Sequence, residues 1–417
     1  MPLNTLADAL SGLQANQQYM NVVGDNIANV NTVGYKTQSI HFNDLLNQTL
    51  SYGGAPAGGL EGVDPLQVGM GVGNGSINLI NTQGTVQDTG RLTDMAIQGG
   101  GYFMLTDGRL NHYTRDGSFT VAPDGTLESP VTGMSVLGWS SLNANGTVNN
   151  ASPLGAIKIP LNSQTAAATT AVGLAGNLDA SQAVYAAGPP PTGGQFTTTL
   201  NVYDSQGFAH QLSLTFQKTS NNNWSYAITG GADTNNFSSN GTATFDAQGK
   251  LTAPLPSPSL SLTYANGTAN GTIAVDFSQI SQLSETSQVN VTTADGSSGG
   301  TLSTFSVGKD GVITAVYSNG SSKAVGQIAL ADFRNPDGLL REGHNLYAAG
   351  INSGAPQVGP AGVGNLGSIN TGQLEGSNVD LAAQFAQMIQ AQQGFNANTK
   401  VVTTTNNMLQ SVISIIP

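Results

Sequence analysis

The sequence predicts an α+β multidomain protein with paired terminal coiled-coil helices, followed by nested antiparallel all-β domains of which the outermost is inserted in the other. Apolar residues repeat with a heptad period at both ends of the 417-residue chain, and alternating segments separated by Asp-Gly or Asn-Gly fill its middle. Heptads are typical of helices packed along a seam, and these dipeptides are typical of β-hairpins. The predicted parts are a helical coiled coil (1–36 plus 375–417), connecting segments (37–75 and 362–374), an inner β domain (76–150 plus 287–361) and an inserted outer β domain (151–286).

The N-terminal stripe predicts one helix of about 25 residues. Pro2 suits the first helical turn, and Asn29, Asn31 and Gly34 end the helix, with Gly34 able to adopt a left-handed cap. The residues predicted to pack against a partner helix are Leu3, Leu6, Leu10, Leu13, Met20 and Ile27.

The C-terminal stripe repeats the heptad pattern, with polar interruptions at Gln392, Thr399 and Asn406. Ser377 and Asp380 fit a capping box that would open this helix. Its predicted packing residues are Leu381, Phe385, Met388, Phe395, Val402, Leu409 and Ile413.

Both terminal helices are predicted to need neighbours. Ordering seven residues costs about 7–14 kcal/mol of backbone entropy, whereas two buried apolar side chains return about 3–6 kcal/mol. Their outer faces carry almost no charged pairs, because residues 1–35 contain only Asp8 and Asp25, and residues 377–417 only Asp380 and Lys400. We therefore expect the ends to be poorly ordered in a lone monomer and to fold when several neighbours cover them. The alternative is that each stripe is the core face of an ordinary amphipathic helix.

The middle of the chain is predicted to form β-hairpins. Asp107-Gly108, Asp124-Gly125 and Asp310-Gly311 each predict a type I′ turn. Residues 200–203 and 212–216 predict a further hairpin, followed by a strand in which Trp224, Tyr226 and Ile228 alternate.

Composition excludes several classes of function. The chain has 12 basic against 24 acidic residues, a net charge of −12, so it cannot assemble a basic patch for nucleic acid or an anionic membrane. Cysteine is absent, which excludes disulfides and thiolate metal sites. No apolar stretch of about 18 residues predicts a membrane span. The N-terminus lacks a basic region before an apolar core, so we expect a cytoplasmic chain or export by another route.

The sequence predicts no catalytic residues, cofactor or metal, and therefore no enzyme. The G-x-S-x-G pattern at 296–300 and the G-x-G-x-x-G pattern at 362–367 are not followed by helical sequence. None of the four histidines (His41, His112, His210 and His344) has a partner at metal-ligand spacing on a helix.

The two ends of the chain resemble the signatures of the bacterial flagellar rod and hook protein family. In the middle, residues 202–207, 317–320 and 326–333 are similar to the hook members in particular. Asp25, Gln393 and Gly394 depart from the usual pattern, and Gly394 should weaken its helix by about 1 kcal/mol relative to Ala. The motif residues are Ser11, Gly12, Leu13, Asn26, Ile27, Ala28, Asn29, Thr32, Gly34, Tyr35, Ser377, Asn378, Val379 and Asp380.

The resemblance implies a structural subunit that self-assembles, in many copies, into a flexible tube coupling the motor rod to the filament. Its implied partners are rod proteins and hook–filament junction proteins at the two ends, with a hook cap and the flagellar export apparatus during assembly. It implies an extracellular location and export without a cleaved signal peptide.

Two alternatives remain open. One is a distal rod protein of the same family, which would be shorter and lack an insert like 151–286. The other is an extracellular β-rich adhesin, which would need exposed aromatic platforms, although only Trp139 and Trp224 are available as tryptophans.

Overall fold

The computed structural model describes residues 2–53, 62, 64–254 and 258–415. Within these ranges the protein is mostly β, with one long helix at each end of the chain. The helices are α1 (Pro2–Ala28) and α2 (Leu381–Ile415). The first strands are β1 (Gln38–Asp44), β2 (Asn47–Ser51), β3 (Leu66–Gly69), β4 (Val72–Leu79), β5 (Val86–Asp88), β6 (Met95–Gln98), β7 (Tyr102–Thr106), β8 (Asn111–Thr114), β9 (Thr120–Val121), β10 (Leu127–Glu128), β11 (Ser135–Trp139) and β12 (Gly155–Ala156).

The remaining strands complete the chain order up to α2. They are β13 (Gln164–Ala167), β14 (Ala171–Asp179), β15 (Gln195–Tyr203), β16 (Ala209–Ser220), β17 (Asn223–Gly230), β18 (Ser238–Phe245), β19 (Leu251–Ala253), β20 (Ser259–Leu262), β21 (Gly271–Leu283), β22 (Gln288–Ala294), β23 (Ser297–Val307), β24 (Val312–Tyr317), β25 (Ser322–Asp332), β26 (Leu340–Gly343), β27 (Leu346–Ala348), β28 (Gln357–Pro360), β29 (Ser368–Thr371) and β30 (Gln373–Glu375). The segments expected to be simple connections, 37–75 and 362–374, therefore contain strands.

The chain divides into two compact units, unit 1 (1–159, 306–314 and 324–417) and unit 2 (160–305 and 315–323). Unit 1 contains both helices and an antiparallel sheet in the order β25-β11-β7-β8-β27-β26. Its core is strongly aromatic because alternate residues of these strands point to one face. The core includes Tyr102, Tyr113, Trp139, Phe333 and Tyr347.

Unit 2 contains a five-stranded sheet, β15 to β19 in order, and a four-stranded sheet, β20-β21-β14-β22. The predicted hairpin is confirmed as β15 paired with β16, and Trp224, Tyr226 and Ile228 are buried on β17. The prediction of antiparallel pairing throughout is wrong at one ladder, since β14 and β21 run parallel. Those strands are about 100 residues apart, a separation that suits a crossover connection better than a tight turn.

The Asp-Gly hairpins are confirmed, but the predicted turn type is wrong. Gly108, Gly125 and Gly311 have positive φ, whereas a type I′ turn requires positive φ at both central residues. Two consecutive residues with positive φ occur instead at His344 (51°) and Asn345 (58°), between β26 and β27. Asparagine tolerates this region because its short polar side chain can bond locally.

The N-terminus of α2 is capped differently from the prediction. The Asp380 carboxylate accepts hydrogen bonds from the N–H groups of Ala382 (2.9 Å) and Ala383 (3.2 Å), and its carbonyl accepts from the N–H of Gln384. Asp380 is therefore the N-cap itself, and the capping box with Ser377 as the cap is wrong. Among the described residues, no helix is long and apolar enough to cross a membrane.

Candidate assembly site at the terminal helices

The two helices pack side by side in an antiparallel pair. Asn26 of α1 donates to Gln384 of α2 (Nδ2 to Oε1, 3.0 Å), and the backbone at Gly12 faces the side chain of Asn398. In α1 the second contact residue, Gly12, lies 14 positions before Asn26, and in α2 Asn398 lies 14 positions after Gln384. The pair therefore has one continuous register.

The predicted heptad period in α1 is present, but the buried stripe lies one residue earlier than predicted. Its buried or half-buried positions are Ala9, Gly12, Asn16, Tyr19, Val23 and Asn26. Gly12, Asn16 and Asn26 contact α2, and Tyr19 also packs on Phe42 of β1. Of the predicted residues, Leu6, Leu13, Met20 and Ile27 are half-buried, Leu10 is 52% exposed, and the side chain of Leu3 lies outside the described residues. Small and amide residues occupy the closest approach because large leucines would hold the helices apart.

In α2 four of the seven predicted residues lie on the seam. These four residues are half-buried, namely Met388, Phe395, Val402 and Leu409. The other positions that α2 contributes to the seam are Gln384, Ala391, Asn398 and Thr405. Leu381, Phe385 and Ile413 are exposed. As contacts between copies of the chain, all of these residues stay a prediction.

A polar joint forms where α1 ends, centred on the buried Asn26. Its Nδ2 donates to the Gln38 carbonyl (2.8 Å) as well as to Gln384, and its Oδ1 accepts from the N–H of Gln38 (2.9 Å). The Tyr35 hydroxyl lies 3.1 Å from both Asn26 Oδ1 and Asp25 Oδ2. Burial and then the Asp25 carboxylate raise the pKa of Tyr35 to about 12, so the hydroxyl remains a donor. Both polar atoms of the Asn26 side chain therefore have hydrogen-bond partners.

A buried ionic cluster lies beside this joint. Lys36 Nζ contacts Glu375 Oε1 at 2.6 Å, and Arg115 Nη1 contacts Glu375 Oε2 at 3.3 Å. Burial lowers the pKa of Lys36, while the Glu375 carboxylate opposes that shift. Glu375 also accepts from the N–H of Gly84 (2.9 Å), and Arg115 lies over the ring of Tyr102. The cluster joins three segments that are distant in sequence, so periodicity could not reveal it.

The motif residue Asn378 connects the two ends of the chain. Its Oδ1 accepts from the N–H and the hydroxyl of Thr37, both at 2.7 Å. Its Nδ2 donates to the carbonyls of Ile80 (2.7 Å) and Thr82 (3.0 Å). Asn378 therefore fixes the segment before α2 against the segment after α1.

The other motif residues shape the turn that follows α1. Asn29 Nδ2 donates to the Asp25 carbonyl (2.9 Å), and Thr32 Oγ1 donates to Asn29 Oδ1 (3.0 Å). Gly34 has a φ of +68°, and a Cβ there would lie 2.7 Å from the Arg115 carbonyl carbon. The left-handed conformation predicted for Gly34 is confirmed, but its role as the helix cap is wrong, because α1 ends at Ala28 and the Gly34 N–H donates to the Glu375 carbonyl. Close packing explains why a side chain is not accommodated.

The remaining motif residues have local roles. Ser11 Oγ donates to the Asp8 carbonyl and accepts from the N–H of Val72, which fixes α1 against β4. Ser377 Oγ accepts from the N–H of Val379 at 3.3 Å. Ala28 is the last residue of α1.

The G-x-S-x-G and G-x-G-x-x-G patterns both lead into β-strands. Ser297 to Val307 form strand β23, and Ser368 to Thr371 form strand β29, so neither glycine pattern precedes a helix. In the part of the chain that the structure describes, no group of three His, Asp or Glu residues is placed to hold a metal ion. Trp139 and Trp224 are both buried and provide no exposed aromatic platform.

Comparisons with known proteins match both ends of the chain and much of its middle. Models of four families match, described as flagella basal body rod protein (residues 6–36), flagellar hook protein FlgE/F/G D1 domain (96–180), flagellar basal body protein FlaE D2 domain (177–297) and flagellar basal body rod FlgEFG protein C-terminal (370–415). The flagellar hook protein FlgE of Borreliella burgdorferi is 34% identical over 99% of both chains. The chain belongs to the flagellar hook protein FlgE family.

Two other FlgE proteins extend this result. The protein of Treponema pallidum is 35% identical over 99% of both chains, and that of Escherichia coli is 31% identical over 98% of this chain and 99% of its own. A solved structure, that of Helicobacter pylori flagellar hook protein FlgE2, has a TM-score of 0.49 and 16% identity, and covers 68% of this chain and 99% of its own.

A rod protein is also related. The flagellar basal-body rod protein FlgG of Bacillus subtilis is 27% identical over 99% of both chains. The expectation that rod members are shorter than this chain stays a prediction. The higher identity to FlgE proteins favours the hook.

Proposed function

We propose that this chain is the structural subunit of the flagellar hook and that it self-assembles into a flexible tube lined by α1 and α2. The observation that carries this proposal is the incomplete covering of α2. One face of α2 packs on α1, while large apolar residues remain exposed on the rest of its surface. A soluble helix normally places polar residues on such faces.

Besides Leu381 and Ile413 near its ends, α2 carries two groups of exposed apolar residues. With about 100° of rotation per residue, Phe385 and Ile389 lie on one side of the seam and Val401 and Met408 on the other, so that the three faces are about 120° apart. Each of these four side chains is between 45% and 60% exposed. A subunit that contacts neighbouring copies on both sides of this seam can form part of a closed, repeating wall.

The hairpin of β2 and β3 supports the same proposal. It is a two-stranded sheet in which nearly every side chain is exposed, including those of Leu50, Leu66 and Val68. The adjoining Leu46 is 82% exposed and Tyr52 is 87% exposed. A two-stranded sheet is marginally stable in water on its own, so we propose that neighbouring subunits cover this hairpin.

We propose a nested order of domains, with the helical pair innermost and the inserted β domain outermost. Support comes from the division into two units, in which residues 160–305 interrupt the sequence of unit 1. The boundary residues 151 and 286 of the predicted insert stay a prediction.

The finer biological context is also a proposal. Family membership supports a polymer of many copies whose two ends meet rod proteins and hook–filament junction proteins. It also supports an extracellular location, with a hook cap and the flagellar export apparatus acting during assembly. We propose no catalytic activity and no cofactor, because the related FlgE proteins carry the names of structural subunits.

Seeded polymerisation of the full-length chain tests the proposal. Phe385→Ser should raise the critical concentration at least about tenfold, because burying one phenylalanine contributes about 1.5–3 kcal/mol. Phe208→Ser is the matched control, since Phe208 is 59% exposed but lies on unit 2. Sedimentation and electron microscopy report the tubes. If the unmodified chain stays monomeric with protease-resistant ends when seeded, the adhesin alternative is favoured instead.

A further inference from the structure

The same five-residue pattern occurs once in each terminal helix. It reads Gly12-Leu13-Gln14-Ala15-Asn16 in α1 and Gly394-Phe395-Asn396-Ala397-Asn398 in α2. Each segment is a glycine, an apolar residue, an amide, an alanine and an asparagine. Because the helices are antiparallel, the glycine of each segment faces the asparagine of the other, as in a contact with local two-fold symmetry.

The two contacts are close and equivalent. A Cβ atom at residue 12 would lie 2.6 Å from Asn398 Nδ2, and one at residue 394 would lie 2.6 Å from Asn16 Oδ1. Real Cβ atoms essentially never lie within 3.0 Å of another atom, so a side chain at either glycine would require the amide of the opposite asparagine to move. Asn16 is also held in place, because its Nδ2 donates to the Gly12 carbonyl at 2.7 Å.

Apart from the Asn26–Gln384 hydrogen bond at the joint, the other seam positions do not select one register. The seam positions of both helices repeat every seven residues, so a slip of one heptad would again bring seam against seam. Such a slip would place Asn398 opposite Tyr19 in one direction or opposite Thr5 in the other. In either case Asn398 would face a side chain instead of the backbone of Gly12.

We infer that the two reciprocal glycine–asparagine contacts, together with the Asn26–Gln384 bond at the joint, determine the register in which α1 and α2 pair. Gly394 is then required at its position, although glycine weakens a helix elsewhere. The inference concerns pairing within one chain and does not depend on whether the chain polymerises.

Disulfide trapping in the full-length chain tests the inference, because the natural sequence contains no cysteine. Extended by one turn from the Gly12–Asn398 contact, the register brings Ala9 nearest to Val402 on the seam of α2, whereas a slip of one heptad would bring it nearest to Leu409. Ala9→Cys/Val402→Cys should therefore cross-link within the chain, and Ala9→Cys/Leu409→Cys should not. Neither pair changes the five-residue segments, and trapping is measured both in soluble chain and in any tubes that form.

Glycine variants then separate register from helix stability. Gly12→Ala and Gly394→Ala should each lower the ratio of in-register to slipped cross-link about tenfold, the effect expected of an extra methyl in a packed contact. Gly24→Ala is the matched control, because a Cβ at Gly24 meets nothing within 4 Å. An equal ratio in Gly12→Ala, Gly394→Ala and Gly24→Ala would overturn the inference.

A swap of one pair gives an independent result. Gly12→Asn alone should shift the cross-link ratio, and adding Asn398→Gly should restore it, since the contact is then re-formed in the opposite sense. If the two changes have additive effects, the residues are not coupled and the inference fails. Circular dichroism on the same variants shows whether both helices are still formed. Chains that cross-link in register but do not form tubes would leave this inference intact and count against the proposed function alone.

Discussion

Asn378 and Thr37 lie 341 residues apart in sequence, yet Asn378 Oδ1 accepts hydrogen bonds from both the N–H and the hydroxyl of Thr37. The same side chain donates to the carbonyls of Ile80 and Thr82. One amide therefore links the segment after α1, the segment after β4 and the segment before α2. These contacts show the structural role of Asn378 in the family motif around residues 377–380.

Asn378→Ala should destabilise unit 1 by about 2 kcal/mol, because several backbone groups lose their partner at once. Denaturant unfolding of the full-length chain measures the change. Asn143→Ala is the control, since Asn143 is exposed and makes one bond, of 3.2 Å, to Thr147. Equal stabilities of the two variants would mean that water replaces the Asn378 contacts.

Glu375→Gln should cost about 3–5 kcal/mol, the range for removing one partner of a buried ion pair. The substitution leaves the charges of Lys36 and Arg115 buried without their carboxylate. Denaturant unfolding at neutral pH checks this result.

The matched control for Glu375→Gln is an exposed ion pair of similar length, Lys158 with Asp124 at 3.1 Å. Lys158→Met should leave stability unchanged, because exposed pairs contribute little. A small effect of Glu375→Gln, comparable with that of Lys158→Met, contradicts the assignment of the cluster as a structural anchor.

Unit 2 should lose stability in acid through Asp204. Burial acts to raise the pKa of Asp204, but hydrogen bonds from Asn266, His210 and the backbone N–H groups of Phe208 and Gln206 outweigh it and lower that pKa to about 2. A carboxylate with a lowered pKa stabilises the fold fully above the unfolded pKa of about 4, and this contribution is lost as the pH falls toward 2. Thermal unfolding between pH 5 and pH 2 should show it, with a weaker pH dependence in Asp204→Asn.

The acid dependence has its own control in the same unit. Asp246→Asn changes a carboxylate in an exposed turn, where it bonds the N–H groups of Gln248 and Lys250. The thermal unfolding of this variant is followed over the same pH range. If Asp204→Asn keeps the pH dependence of the unmodified chain, the buried carboxylate does not govern the acid response.

Replacement of the exposed apolar residues beside the β2–β3 hairpin should impair assembly and spare folding. Leu46→Ser with Tyr52→Ser should leave the thermal midpoint of the monomer unchanged, because both side chains are exposed. The same variant should raise the critical concentration for seeded tubes. A matched change at Ile351, which is fully exposed on a loop of unit 1, serves as the control. Equal polymerisation of both variants would show that the hairpin is not covered by neighbours.

The heptad period of the terminal helices could be predicted from sequence, but the phase of the seam could not. Hydrophobicity places Leu10 on the seam, while the structure places the adjacent Ala9 there and leaves Leu10 exposed. Close packing of two helices favours small residues at the contact, a preference that an apolar pattern does not report. The polar interruptions predicted in the α2 stripe, Gln392, Thr399 and Asn406, are all exposed, and the asparagine on the seam is Asn398 instead.

The joint could be predicted only in part. Asn26, Tyr35 and Asn378 were found through the resemblance, whereas Arg115 had no signal at all. Its partner Glu375 is 260 residues away, and only the fold brings the two together. The parallel pairing of β14 with β21 was missed for a related reason, since turn dipeptides report hairpins and not crossovers.

The helical pair is not the same at its two extremities. α2 has 35 residues and α1 has 27, and the observed register sets position 409 of α2 opposite the beginning of α1. One extremity therefore finishes in the polar joint, and the other finishes as a single unpaired helix. Any stack of such pairs has a direction, and its top and bottom present different chemistry to whatever adds to them.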